Sequence, residues 1–340
     1  MIKHKNIPFF IPHSGCKNNC TFCSQTKITG FSLPIQEITE EAERLKQVVD
    51  ASLIYLNGAE TQIAFFGGSF TGIERERMLL LLETAWEYVK SGKIAGIRLS
   101  TRPDYIDEEI LSTLKRYGVT HIELGLQSTD PDVLEATARG HGREVCFKNA
   151  KLIVDAGFQF VGQMMVGLPC STTESEIRTA EDIVSMGASA VRIYPTVVFE
   201  GTKLYEQCVS GVYKPLSLDD AVKRSLACLK VFRKAGVDIL RIGLHASEEL
   251  KKAPFGANHP AIGELVYGEE LFEQICIEIG AQSTRDKILR IYVADDKVSA
   301  ASGLNGRNKK RLKELYGFKK IKVLKNGKNA PLKVMIEAEE

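Results

Sequence analysis

The 340-residue chain has no uninterrupted apolar run of about 18 residues, the length at which a membrane-spanning helix is read, so no span is expected. Its first residues, Met1-Ile2-Lys3-His4-Lys5-Asn6, have none of the apolar centre of a secretory leader, which points to the cytoplasm. It has no internal repeat and no low-complexity tract, which excludes solenoid and fibrous architectures. Neither sign of charge dominates: 45 Lys and Arg stand against 43 Asp and Glu, for a net charge of +2. Without a secretory context, its eight cysteines argue for thiol or metal chemistry rather than a disulfide framework. Those cysteines also lack the second C-x2-C knuckle that many zinc modules carry.

What remains is ordinary globular material, 44% hydrophobic and 26% charged. The length suits one barrel-like domain, for which about 250 residues are typical, plus a smaller module. From residue 7 to about 195, short strands rich in Ile, Val, Phe and Leu alternate with amphipathic helices. Six strands are expected, at 7–11, 62–66, 96–100, 121–125, 158–166 and 190–194. Helices are expected at 77–90, 107–117, 144–156 and 173–186, and another capped by Thr39. Leu79, Leu80, Leu82 and Trp86 are expected on the buried side of the first of these. Gly118, Gly157 and Gly187 suit the left-handed position after a helix. Strand–helix alternation predicts a parallel sheet, here a partial (β/α)6, TIM-like barrel.

Cys16, Cys20 and Cys23 form a C-x3-C-x2-C loop directly after the first strand. Three thiolates are one short of the four that close an iron–sulfur cluster, so a [4Fe–4S] cluster held here keeps one iron open to a small molecule. The alternative is a Cys3His zinc site that recruits His13. Cys146, Cys208, Cys228 and Cys276 fall in helical segments and read as small hydrophobes.

In such barrels the site lies at the carboxyl ends of the strands. The chemically suggestive residues follow the strands one by one. They are the cysteine loop, Gly67-Gly68-Ser69-Phe70-Thr71, Ser100-Thr101-Arg102-Pro103-Asp104, Glu123 with Gly125-Leu126-Gln127-Ser128, Leu168-Pro169-Cys170, and Arg192-Ile193-Tyr194-Pro195-Thr196. The Gly pair lets backbone approach a ligand closely, or makes a tight turn. Glu123 sits in an apolar strand, where a buried carboxylate needs a partner: a ribose hydroxyl pair or an internal salt bridge. Gln127 and Ser128 can bond a nucleoside or cap a helix. Arg139, in Arg139-Gly140-His141, can clamp a carboxylate or stand in solvent. Cys170 can reach the barrel mouth or pack at a helix start.

The cysteine spacing resembles that of the radical S-adenosylmethionine enzymes. The ordered runs Ala64-Phe65-Phe66-Gly67-Gly68-Ser69-Phe70-Thr71, Ser100–Asp104, Glu123–Ser128, Arg139-Gly140-His141 and Arg192–Tyr205 resemble the Elongator catalytic-subunit branch. The resemblance covers roughly residues 8–245. It implies that Cys16, Cys20 and Cys23 ligate a [4Fe–4S] cluster whose open iron chelates S-adenosylmethionine. It also implies that a reduced cluster cleaves that cofactor to a 5′-deoxyadenosyl radical. Gly67, Gly68, Ser69, Ser100, Arg102, Glu123, Gln127 and Arg139 are then the expected cofactor-binding residues, with Arg192 and Tyr194 as catalytic candidates. An electron donor such as a flavodoxin or ferredoxin is expected. The chain departs from the branch in its compact cysteine interval. About 95 residues follow His245, too few for the branch's acetyltransferase domain, and no phosphate-cradling Gly-rich loop opens a helix there.

Residues 246–340 are expected to form a basic accessory module. Between Gly303 and Lys328 lie ten Lys or Arg residues and one acid, Glu314, so the rest of the chain sums to about −7. A basic stripe on a mildly acidic body fits a polyanion partner. The expected order is strand 288–293, loop Gly303-Leu304-Asn305-Gly306, helix 307–316, strand 318–324. A G-x-x-G loop entering a helix can clamp a nucleic-acid backbone as KH modules do, or simply join a solvated face. Three functions follow: a radical enzyme acting on RNA, above all tRNA; a radical enzyme acting on a small metabolite, with oxygen-independent coproporphyrinogen oxidase as analogue; or a non-catalytic RNA-binding protein with a structural metal.

Overall fold

The computed structural model describes residues 5–11, 15–16, 20–24, 38–56 and 61–338. His13, and most of the loop between the cysteines, lie outside the described residues.

The first half of the chain alternates as its sequence pattern requires. β1 (Lys5–Ile11) is followed by α1 (Ile38–Leu53), β2 (Thr61–Gly67) and α2 (Arg75–Lys90). Then come β3 (Gly96–Thr101), α3 (Glu108–Arg116), β4 (Val119–Gln127), α4 (Pro131–Ala136) and α5 (Arg143–Asp155). β5 (Gln159–Val166), α6 (Thr173–Ser185), β6 (Ala190–Pro195), the two-residue β7 (Val197–Val198) and α7 (Lys203–Val209) continue it. α8 (Leu218–Ala235) and β8 (Asp238–Ile242) complete the main sheet. Its seven strands are all parallel, in the order β1-β2-β3-β4-β5-β6-β8. The expected six-stranded sheet is thus extended by one. β8 reads poorly as a strand because Asp238 and Arg241 interrupt five residues of which only Ile242 is buried.

The period-2 alternation of the strands divides the sheet into two faces. Ile7, Phe9, Ile63, Phe65, Ile97, Leu99, Ile122 and Leu124 point outward into one apolar core shared with the helices. The opposite face carries polar groups: Gln62, Arg98, Ser100, Glu123, Gln163, Arg192 and Arg241. The sheet is curled into a half-barrel around them. The guanidinium of Arg192, on β6, lies 5.5 Å from the ring centroid of Phe66, on β2, although three strands separate the two in the sheet.

Helix ends follow local rules. Asp107 accepts from the Ile110 amide to cap α3, and Thr172 with Ser175 forms a capping box on α6. Gly118, Gly157 and Gly187 adopt positive φ values of 69°, 83° and 83°. At Gly118 a side chain would also strike the Trp86 ring. The buried face of α2 is Met78, Leu81, Leu82 and Ala85 rather than Leu79, Leu80 and Trp86, which are only half covered. Thr39 lies inside the first turn of α1.

The remainder comprises α9 (Glu248–Lys252), β9 (Phe255–Gly256), α10 (Ile262–Ile279), β10 (Ile288–Val293), α11 (Val298–Ser302), α12 (Arg307–Tyr316), β11 (Lys320–Lys325) and β12 (Lys333–Glu337). β10 lies centrally, parallel to β11 and antiparallel to β12, a strand absent from the expected order. α10 serves two cores. Ile262, Leu265 and Val266 join the barrel core, whereas Leu271, Phe272, Ile275 and Ile279 pack on the small sheet. Among the described residues, no helix is long and apolar enough to cross a membrane.

Candidate functional site

Because neighbouring strands run parallel, their carboxyl ends share one rim. The cysteine loop is anchored there by backbone. The Thr21 amide donates to Thr137 O (3.2 Å), at the end of α4, and the Leu204 amide donates to Thr21 O (2.8 Å), at the start of α7. Cys20 and Phe22 pack among Val133, Leu168, Val198, Leu204 and Tyr213. The Arg192–Tyr205 run therefore supports the cysteine loop mechanically. On the other side, Gly15 meets Gly72 backbone to backbone. A Cβ on either glycine would overlap backbone atoms of the facing loop, so neither position admits a side chain. Cys16 Sγ shares a hydrogen bond with the buried Ser69 hydroxyl at 3.2 Å.

Two guanidinium groups face the middle sulfur. Arg139 Nη1 donates to Cys20 Sγ at 3.0 Å and Arg102 Nη1 lies at 3.6 Å. Arg102 is held by Asp104 through two contacts of 2.9 Å and by Arg139 O, and Arg139 Nη2 is anchored on Gly125 O. At Cys23, desolvation, then the neighbouring Cys20 and Cys16 sulfurs, push the thiol up to about 12. A cationic metal group deprotonates the thiols that bind it outright. No His, Cys, Asp or Glu group of three stands close enough to hold a single metal ion among the described residues.

Beside the cysteines, Ile11, Phe66, Gly68, Ser69, Phe70 and Ile73 line a small cleft. Gly67 has φ 115°, and its α-carbon sits so close to Ile11 O that a Cβ would lie 2.9 Å away. The tight-turn alternative accounts for Gly67 in this structure. Phe70 stacks on Phe65 at 4.4 Å, and Thr71 shares a 2.6 Å hydrogen bond with Thr101, so both threonines are structural ties.

Gln127 ends β4 at a register irregularity, with φ 67° in a residue that is not glycine. Its Oε1 is buried and has no hydrogen-bond partner. Strained backbone and an orphaned acceptor cost free energy unless something uses them. The acceptor fits a nucleoside amine or hydroxyl.

Glu123 requires a correction. It is fully buried, and both its oxygens are taken by protein donors. Arg98 Nη1 (2.9 Å) and Arg192 Nη2 (3.2 Å) donate to Oε1; Arg192 Nε (2.8 Å) and Gln163 Nε2 (2.8 Å) donate to Oε2. The salt-bridge alternative describes this residue, and a ribose has no free oxygen there to meet. Burial opposes the Arg192 charge, but Glu123 and Tyr194 beside it hold its pKa above the ordinary arginine value. Ser100 accepts from Gln163 Nε2 at 3.2 Å. Arg98, Gln163 and Arg241 were missed in the sequence. Each interrupts an apolar strand at the same parity as Glu123, Ser100 or Arg192, and that parity was the available signal.

Cys170 is exposed, in a Pro169-Cys170 turn closed by the Ser171 amide on Leu168 O (3.0 Å), with φ 62°. It does not pack at the helix start. His141 lies 3.6 Å from the buried Cys146 thiol; burial, then Arg139, lower its pKa to about 4.

Comparison with known proteins agrees with this geometry. A family model described as "Radical SAM superfamily" matches residues 10–183, just over half of the chain, and one described as "Radical_SAM C-terminal domain" matches residues 188–271. Elongator complex protein 3 of Homo sapiens is 38% identical over 134 residues, 38% of this chain and 24% of that protein. A tRNA uridine(34) acetyltransferase of Methanocaldococcus jannaschii is 29% identical over 199 residues, 58% of this chain and 33% of that protein. The chain thus matches a third or less of the length of these curated relatives. In structure, the archaeal Methanocaldococcus infernus Elp3 with an N-terminal deletion superposes with a TM-score of 0.60 at 21% identity, covering 80% of this chain and 63% of that one.

Proposed function

Since the chain belongs to the radical SAM superfamily, on its Elongator-like branch, we propose that it cleaves S-adenosylmethionine reductively to modify RNA, with tRNA as the substrate class. The observation that carries this reading is the cysteine loop, pinned beneath Arg102 and Arg139 on the rim that also holds the orphaned Gln127 acceptor.

The donor set fits the superfamily's cofactors. Cys16, Cys20 and Cys23 would hold a [4Fe–4S] cluster, with Arg102 and Arg139 offsetting the charge of Cys20. Gly68 and Ser69 stand beside Cys16, where the methionine part would lie. Gln127 and Ser100 are suited to the nucleoside. Together the bound cluster and cofactor supply a primary carbon radical. Arg192 and Tyr194 face the same concavity and are the candidates for positioning substrate. A one-electron donor of flavodoxin or ferredoxin type completes the proposal.

For RNA, the C-terminal surface supports the reading in an altered form. We place the accessory module at 246–340, with α10 as the helix that joins it to the barrel. Not every basic residue in it is available. Arg307 pairs with Asp219 (2.8 Å), and Arg311 pairs with Glu269 (2.5 Å) while lying 3.7 Å over Phe272. Gly303, at the start of this turn, packs on Asn308, whose side chain donates to Gly268 O (2.7 Å) and Ala300 O (3.1 Å). A backbone clamp at this loop is therefore a poorer fit than the exposed lysines Lys310, Lys313, Lys320, Lys325 and Lys328. Each phosphate neutralised releases condensed counterions, so tRNA binding is expected to weaken steeply with salt. Filter binding against bulk tRNA at low and moderate salt tests this. Reversal of Lys310, Lys313 and Lys320 to Glu should weaken binding and leave cluster content unchanged. Binding indifferent to salt and to the reversal favours a small-molecule substrate.

A further inference from the structure

The inner face of the half-barrel holds more positive charge than it neutralises. Arg98 and Arg192 share one carboxylate, Glu123. Arg241 is the Cα partner of Arg192 on the next strand. Its Nε and Nη2 donate only to backbone, Gly243 O and Leu244 O, both at 2.8 Å. Arg192 and Tyr194 act electrostatically on Arg241, which in turn acts on His245, and Arg241 forms no salt bridge among the described residues. Three arginines and one glutamate leave a surplus of two positive charges on a concave, partly buried surface. Buried charges are normally paired, so a cationic surplus of this kind is matched to an anion brought by a ligand. Tyr194 adds a phenol beside Arg192, a neutral donor at the same place. The arginines nearest the cysteines, Arg102 and Arg139, are occupied with Cys20, Asp104 and backbone, and belong to a different part of the rim.

We propose that Arg192, Tyr194 and Arg241 form a binding site for an anionic group of the substrate, a phosphate or a carboxylate, presented to the interior of the half-barrel. This rests on the radical SAM reading and deepens it by naming the chemistry of the substrate at that face. Glu123 sets the strength of the site by cancelling one of its charges and fixing the plane of Arg192 through two hydrogen bonds.

The test is calorimetric titration of the anaerobically reconstituted full chain with inorganic phosphate and, separately, acetate. One saturable site of millimolar affinity is expected. Arg241→Gln should weaken it by about ten-fold or more, the value of one charged hydrogen-bonding partner. Glu123→Gln, which removes the cancelling charge but retains an acceptor, should tighten it; this opposite sign keeps the proposal testable if Arg241→Gln fails to fold. The lysine reversals on the C-terminal surface should leave it unchanged. Preference for phosphate or for acetate identifies the group, and either supports the site. Absence of saturable binding, equal binding by both inner-face variants, or loss in the lysine variant overturns it. So does displacement by S-adenosylmethionine, which would identify the cofactor's own carboxylate as the anion. On the same preparation, 5′-deoxyadenosine formation without anion binding sinks this inference alone. Anion binding without 5′-deoxyadenosine sinks the radical reading and, with it, the substrate assignment.

Discussion

Gly72 and Gly15 show how a single hydrogen-sized side chain can control the placement of the cysteine loop. Gly72→Ala introduces a Cβ into backbone of the facing loop. It is expected to cost roughly 1–3 kcal/mol, as overpacking does, and to lower iron per chain after anaerobic reconstitution; full iron content in a folded variant would show that the approach is dispensable. His141 offers a pH-dependent test. Its folded pKa, about 4, lies below the ordinary histidine value, with burial as the main cause. The folded protein then binds fewer protons than the unfolded chain in the interval between. The contribution of His141 is complete above about pH 6.5 and is lost as pH falls towards 4. In thermal unfolding across that window, His141→Gln should flatten the decline in melting temperature on acidification; an unchanged slope would place the proton uptake elsewhere. Glu123 marks the limit of inference from composition. A lone carboxylate in an apolar strand signals a partner, but the chain does not announce that the partners are Arg98, Gln163 and Arg192, which come from three other strands.

Among the elements, those with strong local signals were legible. β1 to β6, the capped helices α3 and α6, and α12 follow directly from periodicity, caps and terminal glycines. β8 was not, because its pattern is short and carries Asp238 and Arg241; only pairing with β6 makes it a strand. β12 likewise exists by pairing with β10. The cysteines and the motif-bearing rim were legible from residue type and spacing. The backbone ties from Thr21 to Thr137 and Leu204, and the Gly15–Gly72 approach, were not, because they join segments far apart in the chain. α12 illustrates the same division. Its basic residues look alike in sequence, yet Arg311 is bound to Glu269 and Phe272 while Lys310 is exposed. Arg311→Ala should therefore destabilise the chain by roughly 1–3 kcal/mol, and Lys310→Ala should stay within about 0.5 kcal/mol. Denaturant titration of both variants checks this, and equal effects would contradict it.

On the scale of the whole molecule, the two proposed tasks fall on different parts of the fold. The half-barrel gathers sulfur, guanidinium and amide groups on one rim, and the C-terminal module presents lysines through a helix and a sheet built on the far half of α10. Variants on one should leave the other intact. The central claim is that the rim performs radical chemistry. It is tested most directly by anaerobic reconstitution with iron and sulfide, addition of a reductant and S-adenosylmethionine, and quantitation of 5′-deoxyadenosine with and without tRNA. The parent protein is predicted to form it, and the Cys16→Ala, Cys20→Ala and Cys23→Ala variants to form none. A fully iron-loaded parent that yields no 5′-deoxyadenosine under any of these conditions would contradict the account.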